Sequence, residues 1–246
     1  MAEHGFLFKP EMVRALLDGR KTQTRRICTV HNSTIDGGPT GKALWARLDW
    51  SAPPAYPKLP APYVDGYAST GQYWHVPMRP HPADCQTAAD LWTVHRVYPR
   101  VQVGDVVWVR ETWRSEVQDT GGMPSGAHVG GHGIAYQADR GFRFEDRARK
   151  YWPERNGWRS AMLMPRWAAR ALRRVTAIRA QRVQEISEED ALAEGVDRTN
   201  TSLRGYATER FRRLWDSCNG HRPGCAWADN PAVWAYSFER VEVPRG

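Results

Sequence analysis

The sequence contains few cysteines and no long apolar run. Its four cysteines, Cys28, Cys85, Cys218 and Cys225, follow no zinc-ligand spacing, so we expect free thiols, no metal and no cofactor. No stretch approaches the roughly 18 apolar residues of a membrane span, and the N-terminus lacks the apolar segment of a secretion signal. These absences predict a soluble, cytoplasmic protein without a membrane partner.

Repeats and a phosphate loop are also absent. No internal repeat of useful period is found, which argues against a solenoid or a propeller. Residues 120–133 are rich in glycine but carry no Lys-Ser or Lys-Thr pair, which a phosphate-binding loop requires. We therefore predict a flexible hairpin loop at 120–133, followed by a strand at 134–138.

Positive charge is the main excess. Lys and Arg number 35 against 27 Asp and Glu, which gives a net charge of +8. Residues 140–182 concentrate arginines, with only three acidic residues and three interleaved tryptophans. A basic stretch with aromatics is typical of a surface that neutralises phosphates and stacks bases. The alternative is a solvated arginine-rich surface around core tryptophans.

The 246 residues suit one elaborated domain, residues 1–246. Residues 32 to about 90 are rich in Pro, Gly and Ala and predict a long irregular insertion, with one short strand at "QYWHV" (72–76). Residues 160–170, "SAMLMPRWAAR", predict a buried apolar turn. Outside the insertion, several short strands and a few short helices occur without regular βαβ alternation. This pattern predicts an α+β fold containing a small mixed β-barrel.

Local signals give the element positions. A helix is predicted to begin at Pro10 and to end at Gly19, where a glycine cap belongs. Further helices are predicted at 187–195, where Ser187 is the N-cap, and at 206–220. The predicted strands are 22–27, 92–97, 104–113, 171–186 and 232–243.

The segment "GRKTQTRR" (19–26) allows three interpretations: a solvated charged turn, a phosphate-binding patch, or a catalytic lysine–threonine pair. In a straight strand, Lys21 and Thr24 would face opposite sides of the sheet. The pair therefore requires Lys21 to lie in the turn after Gly19, and a glycine permits such a turn.

Four segments together resemble the ASCH domain, a PUA-like β-barrel. They are "LLDGRKTQTRR", "GDVVWVRETW", "ISEEDALAEGV" and "VWAYSFERV". "MPRWA" (Met164 to Ala168) and "LWDS–NG" (Leu214 to Gly220) make the chain similar to the longer ASCH proteins of phages and prophages. The resemblance covers both ends of the chain and most of residues 93–243, and it leaves the insertion unexplained.

The resemblance implies a chemistry. Small bacterial ASCH enzymes remove the acetyl group from N4-acetylcytidine, with a GRKTxT motif whose Lys and second Thr are catalytic, and with a Glu at the end of a short helix. In this sequence those positions are Lys21, Thr24 and Glu194. Thr24 would be the nucleophile and Lys21 its base, which requires a neutral lysine with a pKa lowered by roughly 3 units. Glu194 would orient the lysine or move the proton of the exocyclic nitrogen.

Other ASCH members are viewed as RNA-binding or coactivator-associated modules, so binding without chemistry is the alternative. A third interpretation is a phage accessory protein that acts through unknown protein partners. The expected partner is a modified nucleoside, a nucleotide, RNA or single-stranded DNA. The candidate binding residues are Arg20, Arg25, Arg26, Arg110, Glu111, Trp113, Arg166 and Trp167.

Overall fold

The computed structural model describes residues 1–29, 33–35, 63–67, 71–77, 94–122, 128–151, 157–197 and 205–242. Over these residues the fold is mixed α+β, with several sheets and few helices. The described strands pair into open sheets and form no closed barrel. No described helix combines the length and the apolar character that crossing a membrane requires.

The elements follow one another in this order. The strands are β1 Glu3–Leu7, β2 Gln23–Ile27, β3 Ser33–Ile35, β4 Tyr63–Tyr67, β5 Gly71–Pro77, β6 Val94–Pro99, β7 Val106–Arg110, β8 Trp113–Gly122, β9 His128–Tyr136, β10 Phe142–Phe144, β11 Leu172–Arg182 and β12 Ala232–Val241. The helices are α1 Pro10–Leu17, α2 Glu188–Ala193 and α3 Tyr206–Asn219. Short 3-10 turns lie at Asp146–Tyr151, Ala161–Leu163, Arg166–Ala168, Val183–Glu185 and Trp227–Asp229.

The chain forms two compact units. Unit 1 contains residues 1–21, 106–174 and 240–246, and unit 2 contains residues 22–105 and 175–239. Strand β11 crosses the boundary between Arg174 and Val175.

In unit 1, β1 pairs with β7 in parallel, and β7 pairs antiparallel with the first residues of β11. Strands β10, β9 and β8 form a separate antiparallel sheet. Its buried core includes Trp113, Ile134, Tyr136 and Met164. The 104–113 prediction is confirmed in part, because β7 ends at Arg110 and Trp113 begins β8.

The predicted loop at 120–133 is wrong over most of its length. Strand β8 runs to Gly122 and β9 begins at His128, while residues 123–127 lie outside the described chain. The glycines fit a strand because aromatic rings occupy the places of their side chains. A Cβ on Gly131 would lie 2.5 Å from the Phe144 ring, and one on Gly133 would lie 2.3 Å from the Phe142 ring.

The buried turn predicted at 160–170 is only partly confirmed. It consists of two 3-10 turns with Met164 between them. Met164 is buried, while Met162 and Leu163 are about two-thirds exposed, at 66% and 69%. Met164 Sδ accepts a hydrogen bond from the Glu111 backbone N–H at 3.3 Å. Within the segment, Met164 and Ala168 therefore belong to the core, and Met162 and Leu163 do not.

The predicted turn before β2 is confirmed. Helix α1 begins at Pro10, and Gly19 has a φ of 76°, a conformation that favours glycine. The Lys21 N–H donates to Ala15 O at 2.9 Å, so Lys21 lies in the turn, and β2 begins two residues later at Gln23.

In unit 2, the second part of β11 lies beside β12, and β12 pairs antiparallel with β2. Helices α2 and α3 pack on a core that includes Val183, Ala191, Phe211, Trp215 and Val233. The α2 and α3 predictions are confirmed: the Ser187 hydroxyl accepts from the Asp190 N–H at 3.0 Å, and α3 ends at the residue before Gly220.

A second sheet of unit 2 has the order β3-β6-β5-β4. The strand predicted at 72–76 is confirmed within β5. Strands β3 and β4 also fall in the segment expected to be irregular. Residues 36–62, 68–70 and 78–93 lie outside the described residues.

Candidate functional site

Lys21 is the last residue of unit 1 and its side chain is buried, with 1% exposure. Its Nζ lies 5.8 Å from the centre of the Phe8 ring. The preceding Arg20 is different. Its guanidinium is exposed and pairs with the exposed Asp18 carboxylate at 3.0 Å.

Arg25 and Glu194 form a buried ion pair in unit 2. Arg25 Nη1 donates to Glu194 Oε1 at 3.1 Å, and Nη2 donates to Asp190 Oδ2 at 2.7 Å. The Arg25 side chain is wholly buried, and the Glu194 side chain is 3% exposed. Glu194 caps the C-terminus of α2, and Asp190 lies one helical turn earlier, so both carboxylates face β2.

The Asp190 carboxylate has a second cation. Arg179 Nη2 donates to the same oxygen at 2.7 Å. Burial raises the pKa of Asp190, but the hydrogen bond from Arg179 and the charges of Arg25 and Arg179 outweigh it and lower that pKa below its usual value. Gln23 Oε1 accepts from Arg179 at 3.3 Å, which joins β2 to β11.

Thr24 lies on β2 opposite Tyr236 of β12, and its side chain is buried, with 4% exposure. Among the described residues, no hydrogen bond to the Thr24 side chain is found. Burial raises the pKa of Tyr236. Burial also lowers the pKa of the neighbouring Arg26, and Glu194 opposes that shift.

Backbone hydrogen bonds hold the first residues of unit 2 in place. The Thr22 N–H donates to Ala193 O at 2.8 Å, and Thr22 O accepts from the Phe238 N–H at 2.9 Å. The start of the segment that carries Thr24 is therefore fixed to the end of α2, immediately before Glu194, and to β12.

The structure thus brings Arg25 together with Glu194. Thr24 precedes Arg25 on β2, and adjacent residues of a strand direct their side chains to opposite faces of the sheet. Lys21 belongs to unit 1 and is joined to Thr22 by the peptide bond between the units. The catalytic roles of Lys21, Thr24 and Glu194 stay predictions.

Unit 1 also contains a buried carboxylate, that of Glu111. Arg170 donates to both of its oxygens, at 2.8 and 2.9 Å, and also to both oxygens of Asp139. Burial raises the pKa of Glu111, and Arg170 opposes the shift. The hydrogen bond from Arg170 lowers the pKa of Asp139, while burial raises the pKa of Tyr136, whose ring lies under Arg170, to about 12.

The other candidate binding residues have mixed surroundings. Arg110 donates to Met162 O and lies 5.2 Å from the Trp108 ring, and Arg166 forms a bidentate pair with Glu3. Trp113 is fully buried, so its ring belongs to the core and not to an exposed stacking surface. Trp167 is partly buried and contacts Trp113 edge to face.

Sequence reasoning missed several members of these networks. Asp190 and Glu194 are four residues apart on a helix, a spacing that could have linked them. Arg170, which pairs with Glu111, was not singled out from the sequence. Arg179 gave no signal, because its partner Asp190 lies on a different element, α2, and the two side chains meet only after folding.

Within the described ranges, no cluster of three or more His, Cys, Asp or Glu side chains is arranged to hold a metal ion. Comparison of the chain with protein-family models, with curated proteins and with solved structures gave no match.

Proposed function

We propose that the chain is an ASCH-type amidohydrolase, built on a PUA-like β-barrel, that removes an acyl group from N4 of a modified cytidine. The substrate is a nucleoside, a nucleotide or a nucleic acid. The observation that supports the proposal is the burial of all three motif-matched polar residues, with Lys21 1%, Thr24 4% and Glu194 3% exposed. Lysine and glutamate are seldom fully buried without a specific reason.

In the proposed reaction, the Thr24 hydroxyl attacks the acyl carbon, and its proton passes to the neutral Lys21 amine. The bond from the acyl carbon to N4 then breaks as N4 takes that proton, which releases cytidine and leaves an ester on Thr24. Water hydrolyses the ester to the free carboxylic acid and restores the hydroxyl. Burial of Lys21 supports this assignment, because burial disfavours the charged ammonium.

Arg25 has a positioning role in this proposal. Its guanidinium is engaged by Glu194 and Asp190, so one oxygen of Glu194 is held in place. A carboxylate fixed in this way can orient the leaving nitrogen or relay its proton. The role of Arg25 as a direct substrate ligand, expected from the sequence, is less well supported by this arrangement.

Turnover of N4-acetylcytidine as nucleoside, nucleotide and oligonucleotide, measured by chromatography, tests the proposal. Lys21→Ala should reduce turnover by at least about a hundredfold, the usual contribution of a general base. Lys9→Ala, which removes an exposed lysine of the same unit, should retain activity. Absence of turnover with every form of substrate, or full activity of Lys21→Ala, would overturn the proposal.

The second candidate is a module that binds RNA or single-stranded DNA without chemistry. The net charge of +8 favours it, as does the cleft of unit 1, where Arg173 and Arg240 pair with no carboxylate of the described residues. Binding without turnover by the folded wild-type protein would select it over the hydrolase.

A further inference from the structure

Unit 1 contains a cleft of about 1240 Å³. It lies among β10 with the residues that follow it, the 3-10 turn Arg166–Ala168, the start of β11 and the end of β12. Small-molecule sites usually measure about 300–1,000 Å³, so this cleft has room for more than one nucleotide.

Most arginines that line the cleft are already paired. Arg170 is held by Glu111 and Asp139, and Arg166 is held by Glu3. Glu145, which also lines the cleft, pairs with Arg147 at 2.6 Å. These arginines therefore bring little uncompensated charge.

Arg173 and Arg240 are the exceptions. No carboxylate pairs with either of them in the part of the chain that the structure describes. Arg173 is buried and donates to Leu172 O and Leu16 O, while Arg240 is exposed. Both residues line the cleft. Burial lowers the pKa of Arg173, and the charge of Arg240 lowers it further. Two neighbouring guanidinium groups at a cleft wall form a site for an anion.

The same cleft exposes an aromatic ring. Phe144 lines it and is 56% exposed. The ring is supported from one side by the Gly131 backbone and contacts Phe142 edge to face, with centroids 5.0 Å apart. An exposed, supported ring beside cations has the features of a platform on which a base stacks.

We propose that this cleft binds single-stranded nucleic acid, with a phosphodiester group at Arg173 and Arg240 and an unpaired base on Phe144. The ring favours a single strand over a duplex, because bases inside a duplex have no free face. The cleft volume and the ring favour a strand over a free phosphate ion. The site does not depend on the proposed hydrolase chemistry, so binding is testable whether or not turnover occurs.

Fluorescence anisotropy with labelled single-stranded RNA and DNA of roughly twelve nucleotides tests the site. Affinity is measured between about 50 and 200 mM salt, with a duplex of the same sequence as competitor. The variants are Arg240→Ala and Phe144→Ala, both at exposed side chains, and the matched control is Arg222→Ala, an exposed arginine of unit 2.

The wild-type protein should bind a single strand with an affinity that falls as salt rises. Arg240→Ala should reduce the slope of log affinity against log salt by about 0.7, the value for one phosphate contact on a single strand. Phe144→Ala should weaken binding about fivefold or more at unchanged slope. Arg222→Ala should bind as the wild type does.

A preference for RNA or for DNA identifies which kind of single strand the cleft binds, and binding of either supports the site. Three results would overturn it: no binding at about 50 mM salt, equal affinity for the duplex, or Arg240→Ala and Phe144→Ala that bind as tightly as Arg222→Ala.

Discussion

The guanidinium of Arg25 lies 3.1 Å from the carboxylate of Glu194, with both side chains almost wholly removed from water. Arg25 is on β2 and Glu194 ends α2, so this pair ties the strand of the GRKT motif to the helix that carries the third predicted catalytic residue. In the proposed function, the ion pair is what holds Glu194 in a defined orientation.

Arg25→Met should destabilise the protein by about 3–5 kcal/mol, because it removes the buried guanidinium that pairs with the Glu194 carboxylate. The measurement is the free energy of unfolding in urea. Arg213→Met removes an exposed arginine, 74% accessible, that pairs with Glu209, and it should cost less than about 1 kcal/mol. Equal losses for the two variants would contradict a structural role for Arg25.

Asp190 should make stability depend on pH in acid. Arg179 and Arg25 lower the pKa of Asp190 in the folded protein, against the effect of burial. The contribution of Asp190 to stability is therefore complete above its pKa in the unfolded chain, about 3.9, and is lost as pH falls through its lower pKa in the folded protein. The free energy of unfolding, measured from pH 7 to pH 3, should therefore fall less steeply for Asp190→Asn than for the wild type. Identical slopes would show that Asp190 does not titrate in this way.

The elements around the GRKT motif could be predicted because their signals are local. Pro10 at the first helical position, Gly19 after the helix and Ser187 at an N-cap each act on residues within one turn. The buried partners could not be predicted in the same way. Arg25 meets Asp190 and Glu194 only after the chain between them, some 165 residues, has folded.

The glycine-rich stretch shows how a local signal fails. Glycine lowers the propensity for a strand, and composition alone therefore predicts a loop. In the structure, Phe142 and Phe144 of β10 pack on Gly133 and Gly131 of β9, and this tertiary packing outweighs the propensity.

Gly133→Ala should therefore be destabilising by about 1–3 kcal/mol through overpacking. The added Cβ would lie 2.3 Å from the Phe142 ring and 2.4 Å from the Arg143 carbonyl oxygen, which belongs to the backbone and cannot rotate away. Thermal unfolding measures the change. Gly157→Ala, where no atom lies within 4 Å of the added Cβ, should be close to neutral. A neutral Gly133→Ala would contradict the described packing.

Glu111→Gln should cost about 2–3 kcal/mol, because the bidentate pair with Arg170 is lost inside unit 1 while Asp139 still holds that arginine. Urea unfolding is again the measurement. Glu116→Gln, which disrupts a half-exposed pair with Arg114 on the neighbouring strand β8, should change stability by less than about 1 kcal/mol. If the two variants were equally stable, Glu111 would not be the buried anchor of this network.

Release of cytidine from N4-acetylcytidine, compared among the wild type, Thr24→Ala and Thr22→Ala, tests the proposed function most directly. Thr22 has an exposed side chain two residues from the buried Thr24. Comparison of the two variants therefore distinguishes loss of the nucleophile from the effect of any threonine substitution in the motif. We expect turnover by the wild type and by Thr22→Ala, and a loss of at least about a hundredfold for Thr24→Ala. Turnover by Thr24→Ala at the wild-type rate, or no release by the folded wild-type protein, would contradict it.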